Sequence, residues 1–165
     1  GGMDLFLLSS GIGFQNMDLN MEVELNTAHT NVAGFIRMVD TAFMYFKKNG
    51  GGHLAVISSI AGTKGLGVAP AYSATKRFQN TYIDALEQLS HLQKLHIRFT
   101  DIRPGFVNTA MAKGEGLFWV TPVDKAVKQI KKAISKKKKV AFISKRWRYV
   151  TILFRLLPSA IYCRM

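Results

Sequence analysis

The stretch HLAVISSIAGTKGLGVAPAYSATKRF, residues 53–78, decides the fold of this chain. It opens with a short apolar run that ends in two serines, a pattern typical of a strand buried on both faces of a sheet. A ten-residue loop follows, and Pro70 then fits the first turn of a helix that we expect over about residues 71–92. A buried strand followed by a helix of crossover length is the repeating unit of a parallel sheet.

The same alternation extends in both directions along the 165 residues. Short apolar runs predict further strands, and segments with apolar residues at helical spacing predict the helices between them. We expect strands within MDLFLLSS, HLAVISS, HIRFTDI and VAFIS, and helices over about residues 21–48, 71–92 and 122–135. We find no internal repeat and no dividing linker. The sequence therefore predicts an α/β fold with a mainly parallel sheet and helices on both faces.

Charge is distributed very unevenly. The formal net charge is +13, yet residues 1–122 hold 10 Lys/Arg and 9 Asp/Glu, whereas residues 123–165 hold 13 Lys/Arg and one acid, Asp124. The basic character therefore belongs to the last quarter of the chain. The single cysteine, Cys163, excludes an internal disulfide, and the apolar runs are too short to span a bilayer, so we expect a cytoplasmic protein. No metal site is predicted.

Tyr72 and Lys76, in YSATK, are four residues apart, which places both side chains on one face of the predicted helix. Because this composition produces such a pair by chance about 0.5 times, the pair alone indicates little. Ligands of parallel sheets bind beyond the carboxyl ends of the strands, where turns also need small residues. The strand-end residues here are Ser9, Ser10, Gly11, Ser58, Ser59, Arg103, Pro104 and Gly105.

In their order along the chain, these motifs resemble those of the short-chain dehydrogenase/reductase family. YSATK is similar to the family's Tyr-x-x-x-Lys, and Ser59 in VISSIAG lies thirteen residues before Tyr72, where the family keeps its catalytic serine. NVAG from Asn31 resembles the family's mid-helix asparagine, and DIRPGFVNT resembles its Pro-Gly motif with a following threonine, Thr109. LSSGIG occupies the place of Asn-Asn-Ala-Gly. The resemblance covers roughly residues 3–130.

The resemblance implies an oxidoreductase that transfers hydride between a nicotinamide cofactor, NADP or NAD, and a small-molecule carbonyl or alcohol. Tyr72 would be the general acid/base. The Lys76 cation on the same helix face would favour the phenolate, lower its pKa from near 10 and bind the nicotinamide ribose. Ser59 would hold the reacting oxygen, and Asn31 would support a water leading to the lysine.

The resemblance also implies a set of cofactor-binding residues. Four of them, in and after the Pro-Gly motif, would line the carboxamide side of the nicotinamide. At LSSG two serines replace two asparagines of the family, and a serine can still bond backbone and approach a ribose. The implied set is Ser9, Ser10, Gly11, Ser58, Tyr72, Lys76, Pro104, Gly105, Val107 and Thr109.

Each catalytic candidate also has a simpler explanation. Tyr72 fits a half-buried helix tyrosine, and Lys76 fits a solvated helix lysine. Asn31 would then only bend a helix, since asparagine is a middling helix former. Ser59 would only satisfy backbone groups near a strand end.

The family begins with a Thr-Gly-x-x-x-Gly-x-Gly turn that binds the cofactor pyrophosphate, and neither GTKGLG nor GIGFQN matches it. The chain starts at what resembles the fourth strand of the family's sheet. We therefore expect a partial doubly wound (Rossmann-like) parallel sheet, lacking the N-terminal cofactor half by truncation. The alternative is a complete chain, a non-catalytic remnant that lost this half. Such a sheet would expose an apolar edge, which predicts a homo-oligomer.

We divide the chain into a catalytic portion, residues 1–145, and a basic amphipathic segment, residues 146–165. The segment contains an apolar helix that Pro158 should end or kink. Two roles fit it: peripheral contact with an anionic membrane, at its inner face, or packing on the body or a second subunit. Nucleic-acid binding is disfavoured, because we find charge without groove-reading or stacking elements.

The loop after the Pro-Gly motif would shape the substrate pocket in this family. Its larger apolar side chains fit either an apolar substrate or closure of the core. They are Met111, Leu117, Phe118 and Trp119.

Overall fold

The computed structural model describes residues 2–112 and 118–164. Its sheet has four parallel strands that follow one another in chain order: β1 (Leu5–Leu8), β2 (Gly52–Ile57), β3 (Ile97–Pro104) and β4 (Val140–Ile143). Leu8 lies beside Val56, Val56 beside Asp101, and Asp101 beside Val140. The predicted α/β fold with a parallel sheet is confirmed.

The helices lie close to their predicted bounds. The predicted helix over residues 21–48 is one helical run in three parts, with a π-helical segment (His29–Gly34) between its α-helical ends. The later helices follow each strand in turn, and a short 3-10 turn (Ile60–Thr63) follows β2. The α-helices are α1 (Met21–Ala28), α2 (Phe35–Lys48), α3 (Pro70–Leu92), α4 (Val123–Ser135), α5 (Trp147–Leu156) and α6 (Ser159–Tyr162).

Local chemistry explains where the first helical run starts and stops. The side chain of Asn20 accepts hydrogen bonds from the backbone N–H groups of Glu22 (3.0 Å) and Val23 (3.3 Å), which caps the start of α1. After α2, the backbone turns through left-handed angles at Gly50 (φ 81°) and Gly51 (φ 128°). Glycine adopts these angles without steric cost, so the chain can enter β2 directly.

Alternate side chains of β2 enter two different cores, because successive residues of a strand point to opposite faces. Leu54 and Val56 pack with α2 and α3, among Phe35, Val39, Phe43, Phe46 and Ile83. Ala55 and Ile57 pack on the other face with α4, among Ala126, Ile130 and Ile134. Helices therefore cover both faces of β2 and β3, as predicted.

One stretch of sheet is left partly uncovered. Leu5 and Leu7 of β1 are exposed, whereas Leu8 belongs to the core with α2 and α3. In the described part of the chain, no helix covers the Leu5 and Leu7 side of this edge strand. An exposed apolar edge fits the predicted homo-oligomer, which stays a prediction.

A buried polar network joins β2, β3 and α3 just behind the carboxyl edge of the sheet. Asp101 is its centre: it accepts a hydrogen bond from Ser58, one from Asn80 Nδ2 (3.0 Å) and one from Arg103 Nε (2.7 Å). Asn80 Nδ2 also donates to Ser58 Oγ at 2.9 Å. All four side chains are buried, so each partner satisfies a group that has lost its water.

The C-terminal segment packs on the loop that follows β2. Lys64 Nζ donates to the carbonyl oxygens of Phe154 (3.2 Å) and Leu157 (2.7 Å), which lack helical partners at the end of α5. Tyr162 Oη donates to the Gly65 carbonyl at 2.5 Å. A break at Pro158 separates α5 from α6, as predicted. The domain boundary at residue 145 stays a prediction.

We predict that Asp101→Asn lowers the free energy of unfolding by roughly 3 kcal/mol or more, because it leaves Arg103 buried without its counter-charge. Urea unfolding of the intact protein measures this loss. The control is Glu87→Gln, which breaks the 2.7 Å pair of Glu87 with Lys139, whose side chain is 62% exposed. That variant should lose at most about 1 kcal/mol. Similar losses in the two variants would contradict a structural role for the buried network.

Candidate active site

Tyr72 and Lys76 lie on the first two turns of α3, which begins at Pro70. The Lys76 ammonium is 5.8 Å from the centre of the Tyr72 ring, so the two side chains share a face of the helix. Lys76 is only 4% exposed, and Tyr72 is half-buried. The alternative of a solvated helix lysine is therefore wrong.

The buried Lys76 ammonium is held by neutral oxygens. It donates to the Ile57 carbonyl at the end of β2 (3.3 Å) and to Gln79 Oε1 (3.1 Å). Burial lowers the pKa of Lys76 to about 8, although the negative charge of Asp101 acts in the opposite direction. Lys76 is thus a cation that loses its proton as the pH rises through about 8.

Tyr72 differs from the sequence-based expectation in its acidity. Burial raises the pKa of Tyr72 above its usual value of 10.0, and a hydrogen bond with Ser59 lowers it by a smaller amount. The expected lowering by Lys76 is not seen, because loss of hydration is the dominant influence on the phenol. Tyr72 is therefore a neutral phenol at pH 7, which suits a proton donor.

Ser59 lies where β2 passes into the 3-10 turn. Its Oγ accepts a hydrogen bond from the Ala61 backbone N–H at 3.1 Å, which caps the turn. The predicted backbone role is present. It leaves the hydroxyl proton of Ser59 available, since a serine can accept and donate at once.

Asn31 is fully buried in the π-helical segment and fastens two parts of the site. Its Oδ1 accepts from the Ile12 N–H (2.9 Å), and its Nδ2 donates to the Ile12 carbonyl (2.7 Å) and to Thr75 Oγ1 (3.1 Å). Its backbone carbonyl accepts from Gln79 Nε2 at 2.9 Å. Asn31 therefore ties the segment after β1 to α3, and it reaches Lys76 through Gln79.

Two glycines after β1 let the backbone pass directly over the pair. A Cβ at Gly11 would lie 3.2 Å from Lys76 Nζ, and a Cβ at Gly13 would lie 2.4 Å from the Tyr72 ring. Only glycine allows the second approach. Ser9 and Ser10, just before them, are exposed at the edge of the sheet. The contact of Gly13 with Tyr72 was not expected from the sequence.

Two residues of the predicted cofactor-binding set, Ser58 and Gly105, lie against other side chains of the protein. The Ser58 hydroxyl is engaged with Asp101 and Asn80, so it faces inward. A Cβ at Gly105 would lie 2.1 Å from Trp147 Nε1, so Trp147 fills the space on that side. The predicted cofactor-binding roles of Ser58 and Gly105 stay predictions, and any contact of Ser58 with a cofactor would involve its backbone, because its hydroxyl is engaged.

The rest of the Pro-Gly region lies nearby. Pro104 and Val107 are half-buried, and Thr109 is exposed. In the loop expected to shape the substrate pocket, Met111 is exposed, and Phe118 and Trp119 pack against Trp147 at ring distances of 5.2 and 5.7 Å. Phe118 and Trp119 thus cover one side of Trp147 but remain 51% and 46% exposed, so the two alternatives, an apolar substrate and closure of the core, both stay predictions. Leu117 lies outside the described residues.

Sequence reasoning missed the side chains that support Lys76. Gln79 follows Lys76 by three residues, which is the spacing that brings helical side chains together, so this signal was present in YSATKRFQ. Asn80, Asp101 and Arg103 had no comparable signal as a network, because their contacts join segments distant in sequence. In the described part of the chain, no cluster of side chains has the composition of a metal site.

Comparison with known proteins gives the family. Residues 1–117 match the family model described as short chain dehydrogenase. The chain is 26% identical to "Dehydrogenase/reductase SDR family member 7B" of Danio rerio over 181 residues, which cover 100% of this chain and 58% of that protein. It is 33% identical to an "Uncharacterized oxidoreductase" of Myxococcus xanthus over 113 residues, which cover 67% of this chain and 44% of the relative. The chain thus spans about half the length of the curated relatives it matches.

The fold is shared with solved structures. A short chain dehydrogenase from Burkholderia cenocepacia J2315, crystallised in complex with NADP, superposes with a TM-score of 0.77 at 18% sequence identity. The alignment covers 96% of this chain and 67% of that protein. With the parallel sheet and the family match over residues 1–117, the conclusion is that the chain belongs to the short-chain dehydrogenase family.

Proposed function

We propose that the intact protein is an NAD(P)-dependent oxidoreductase that transfers hydride between a nicotinamide cofactor and a small-molecule carbonyl or alcohol. The proposal rests on the buried Lys76 cation, whose ammonium lies 5.8 Å from the ring centre of the half-buried Tyr72 on the same face of α3. Tyr72 is the general acid/base, with Lys76, Ser59 and Asn31 in support. The family of the chain supports this reaction class.

The residues at the carboxyl edge of the sheet fit a nicotinamide cofactor. Lys76 has three N–H donors and two acceptors among the described residues, so one donor is available for a ribose hydroxyl. Gly11 brings backbone close to this ammonium, and the exposed Ser9 and Ser10 can bond further hydroxyl groups. Pro104, Val107 and Thr109 would border the nicotinamide. The structural relative bound to NADP supports this choice.

Tyr72 would transfer the proton, assisted by Ser59 and Lys76. The cofactor, when bound, supplies or accepts the hydride. In reduction, Tyr72 donates its phenolic proton to the carbonyl oxygen as that oxygen gains charge, and the Ser59 hydroxyl donates a hydrogen bond to the same oxygen. The Lys76 cation then stabilises the phenolate that remains. In oxidation, the phenolate takes the proton back from the alcohol.

A second function, contact with an anionic membrane surface, is favoured by the outer face of α5. Trp147 and Thr151 are buried against the body, whereas Tyr149, Leu153 and Leu156 are exposed. The exposed Arg148 and Arg155 lie on the same helix, so apolar and basic side chains face outward together. Such a surface suits the boundary between anionic headgroups and acyl chains.

The membrane contact would be peripheral. No helix of residues 2–112 and 118–164 combines the length and the apolar character that a bilayer-spanning helix needs. Trp147 is buried, so α5 packs on the body of the protein, which agrees with the alternative that the segment covers the core. The outward side of α5 remains available for contact with a membrane surface, so packing on the body and membrane contact are compatible roles of the segment.

We predict that Tyr72→Phe lowers kcat by about two to four orders of magnitude, because the proton donor is lost. Affinity for NADPH should change by no more than about threefold, since the ring and Lys76 remain. NADPH oxidation with a panel of ketones and NADPH fluorescence titration measure these effects in the full native reading frame that contains residues 1–165.

The matched control is Tyr82→Phe on the same helix, where the hydroxyl donates to Asp40 at 2.9 Å. This variant should keep its turnover. Undiminished turnover in Tyr72→Phe would remove Tyr72 from proton transfer. A native protein that neither binds NADPH or NADH nor oxidises them with any ketone would end the enzyme proposal.

We predict that Leu156→Glu weakens binding to phosphatidylserine-containing vesicles by about tenfold or more, because it removes an inserting leucine and adds a negative charge. The matched control is Leu92→Glu at the end of α3, since both leucines are 75% exposed. Co-sedimentation measures the partitioning. Equal partitioning of the two variants, or no binding of the native protein, would contradict the membrane proposal.

A further inference from the structure

Gln79 occupies a central position that the proposed chemistry leaves unexplained. It is 1% exposed and lies one turn after Lys76 on α3. Both ends of its amide are engaged: Oε1 accepts from Lys76 Nζ at 3.1 Å, and Nε2 donates to the Asn31 carbonyl at 2.9 Å. The side chain therefore connects two residues of the candidate site.

The surroundings of Lys76 make this contact important. Its two hydrogen-bond acceptors among the described residues, Gln79 Oε1 and the Ile57 carbonyl, are both neutral. A buried ammonium without a contacting carboxylate depends on hydrogen bonds to replace its lost hydration. Gln79 supplies one of these bonds and is itself fixed by Asn31.

We propose that Gln79 is a positioning residue for Lys76, which holds the ammonium beside Tyr72 and keeps it charged. The inference rests on the proposed function, which assigns Lys76 to the cofactor and the phenolate. Gln79 touches neither reacting group in this role. It acts through Lys76 alone.

The amide of Gln79 makes the link from Asn31 to Lys76 a fixed support and not a proton relay. An amide nitrogen donates hydrogen bonds but, unlike a water or a hydroxyl, does not readily give up its proton near neutral pH. The connection from Asn31 through Gln79 to Lys76 is therefore a fixed support. The expectation that Asn31 supports a water leading to this lysine stays a prediction.

The charged groups around Lys76 determine the direction in which its pKa should change in each Gln79 variant. Tyr72 faces it from α3 as a neutral phenol, and Asp101 acts on it from β3, with its own charge balanced by Arg103. Asn31, Gly11 and Ile12 bring only neutral groups to this side of Lys76. Losing the Gln79 oxygen should therefore make the lysine easier to deprotonate, and a carboxylate at this position should make it harder.

The test measures the pKa of Lys76 by NMR, from the ε-carbon shift of labelled lysine in the full native protein, with Lys76→Met used to assign the signal. The native value should lie near 8. Gln79→Leu should lower the pKa by about one unit, since a hydrogen bond to a charged group is lost. Gln79→Glu should raise it. The high-pH limb of kcat/KM should move in the same directions.

Gln88→Leu, at an exposed position of the same helix, is the control and should leave the pKa of Lys76 unchanged. Gln79→Glu preserves side-chain size, so it tests the link if the leucine variant does not fold. No shift, or shifts in one direction for both Gln79 variants, would overturn the proposal. Because the NMR titration needs no turnover, an inactive native protein would refute the enzyme proposal while this link is still tested.

Discussion

The burial of the Lys76 ammonium beneath the carboxyl edge of the sheet is the constraint on which the rest of the site depends. A buried cation must regain the interactions that it loses with water. Here the Ile57 carbonyl and the Gln79 amide supply them, while Asp101 adds negative charge from β3. The backbone after β1 lies against this ammonium, since a Cβ at position 11 would be 3.2 Å from Lys76 Nζ.

The scaffold brings these groups together through parallel topology. The carboxyl ends of β1, β2 and β3 meet at one edge, and α3 starts there with Tyr72 and Lys76 on its first turns. Behind that edge, the Asp101 network bonds β2, β3 and α3 to one another. The position of Lys76 relative to Ser59 is thus held by buried hydrogen bonds as well as by packing.

Much of the fold could be predicted because local patterns determine it. Apolar runs marked the strands, helical spacing marked α2 and α3, and Pro70 and Pro158 marked helix boundaries. The spacing of Tyr72 and Lys76 on one helix face indicated little alone, and the two residues were recognised from the accompanying motifs that resemble the family's. The Gln79 bridge spans 48 residues to Asn31, and Trp147 fills the space beside Gly105 from a distant helix. Such contacts, and the raised pKa of Tyr72, depend on tertiary burial that no local pattern encodes.

The proposed role of the buried Lys76 cation, to bind a nicotinamide cofactor, is tested by measuring cofactor affinity. NADPH would be titrated into the native protein, into Lys76→Met, which keeps the length of the side chain without its charge, and into the exposed Lys94→Met as a control. We predict that Lys76→Met raises the Kd about tenfold or more, because a charge-assisted hydrogen bond is lost. Lys94→Met should leave the Kd unchanged. Equal affinity of the native protein and Lys76→Met would contradict a cofactor-binding role for Lys76.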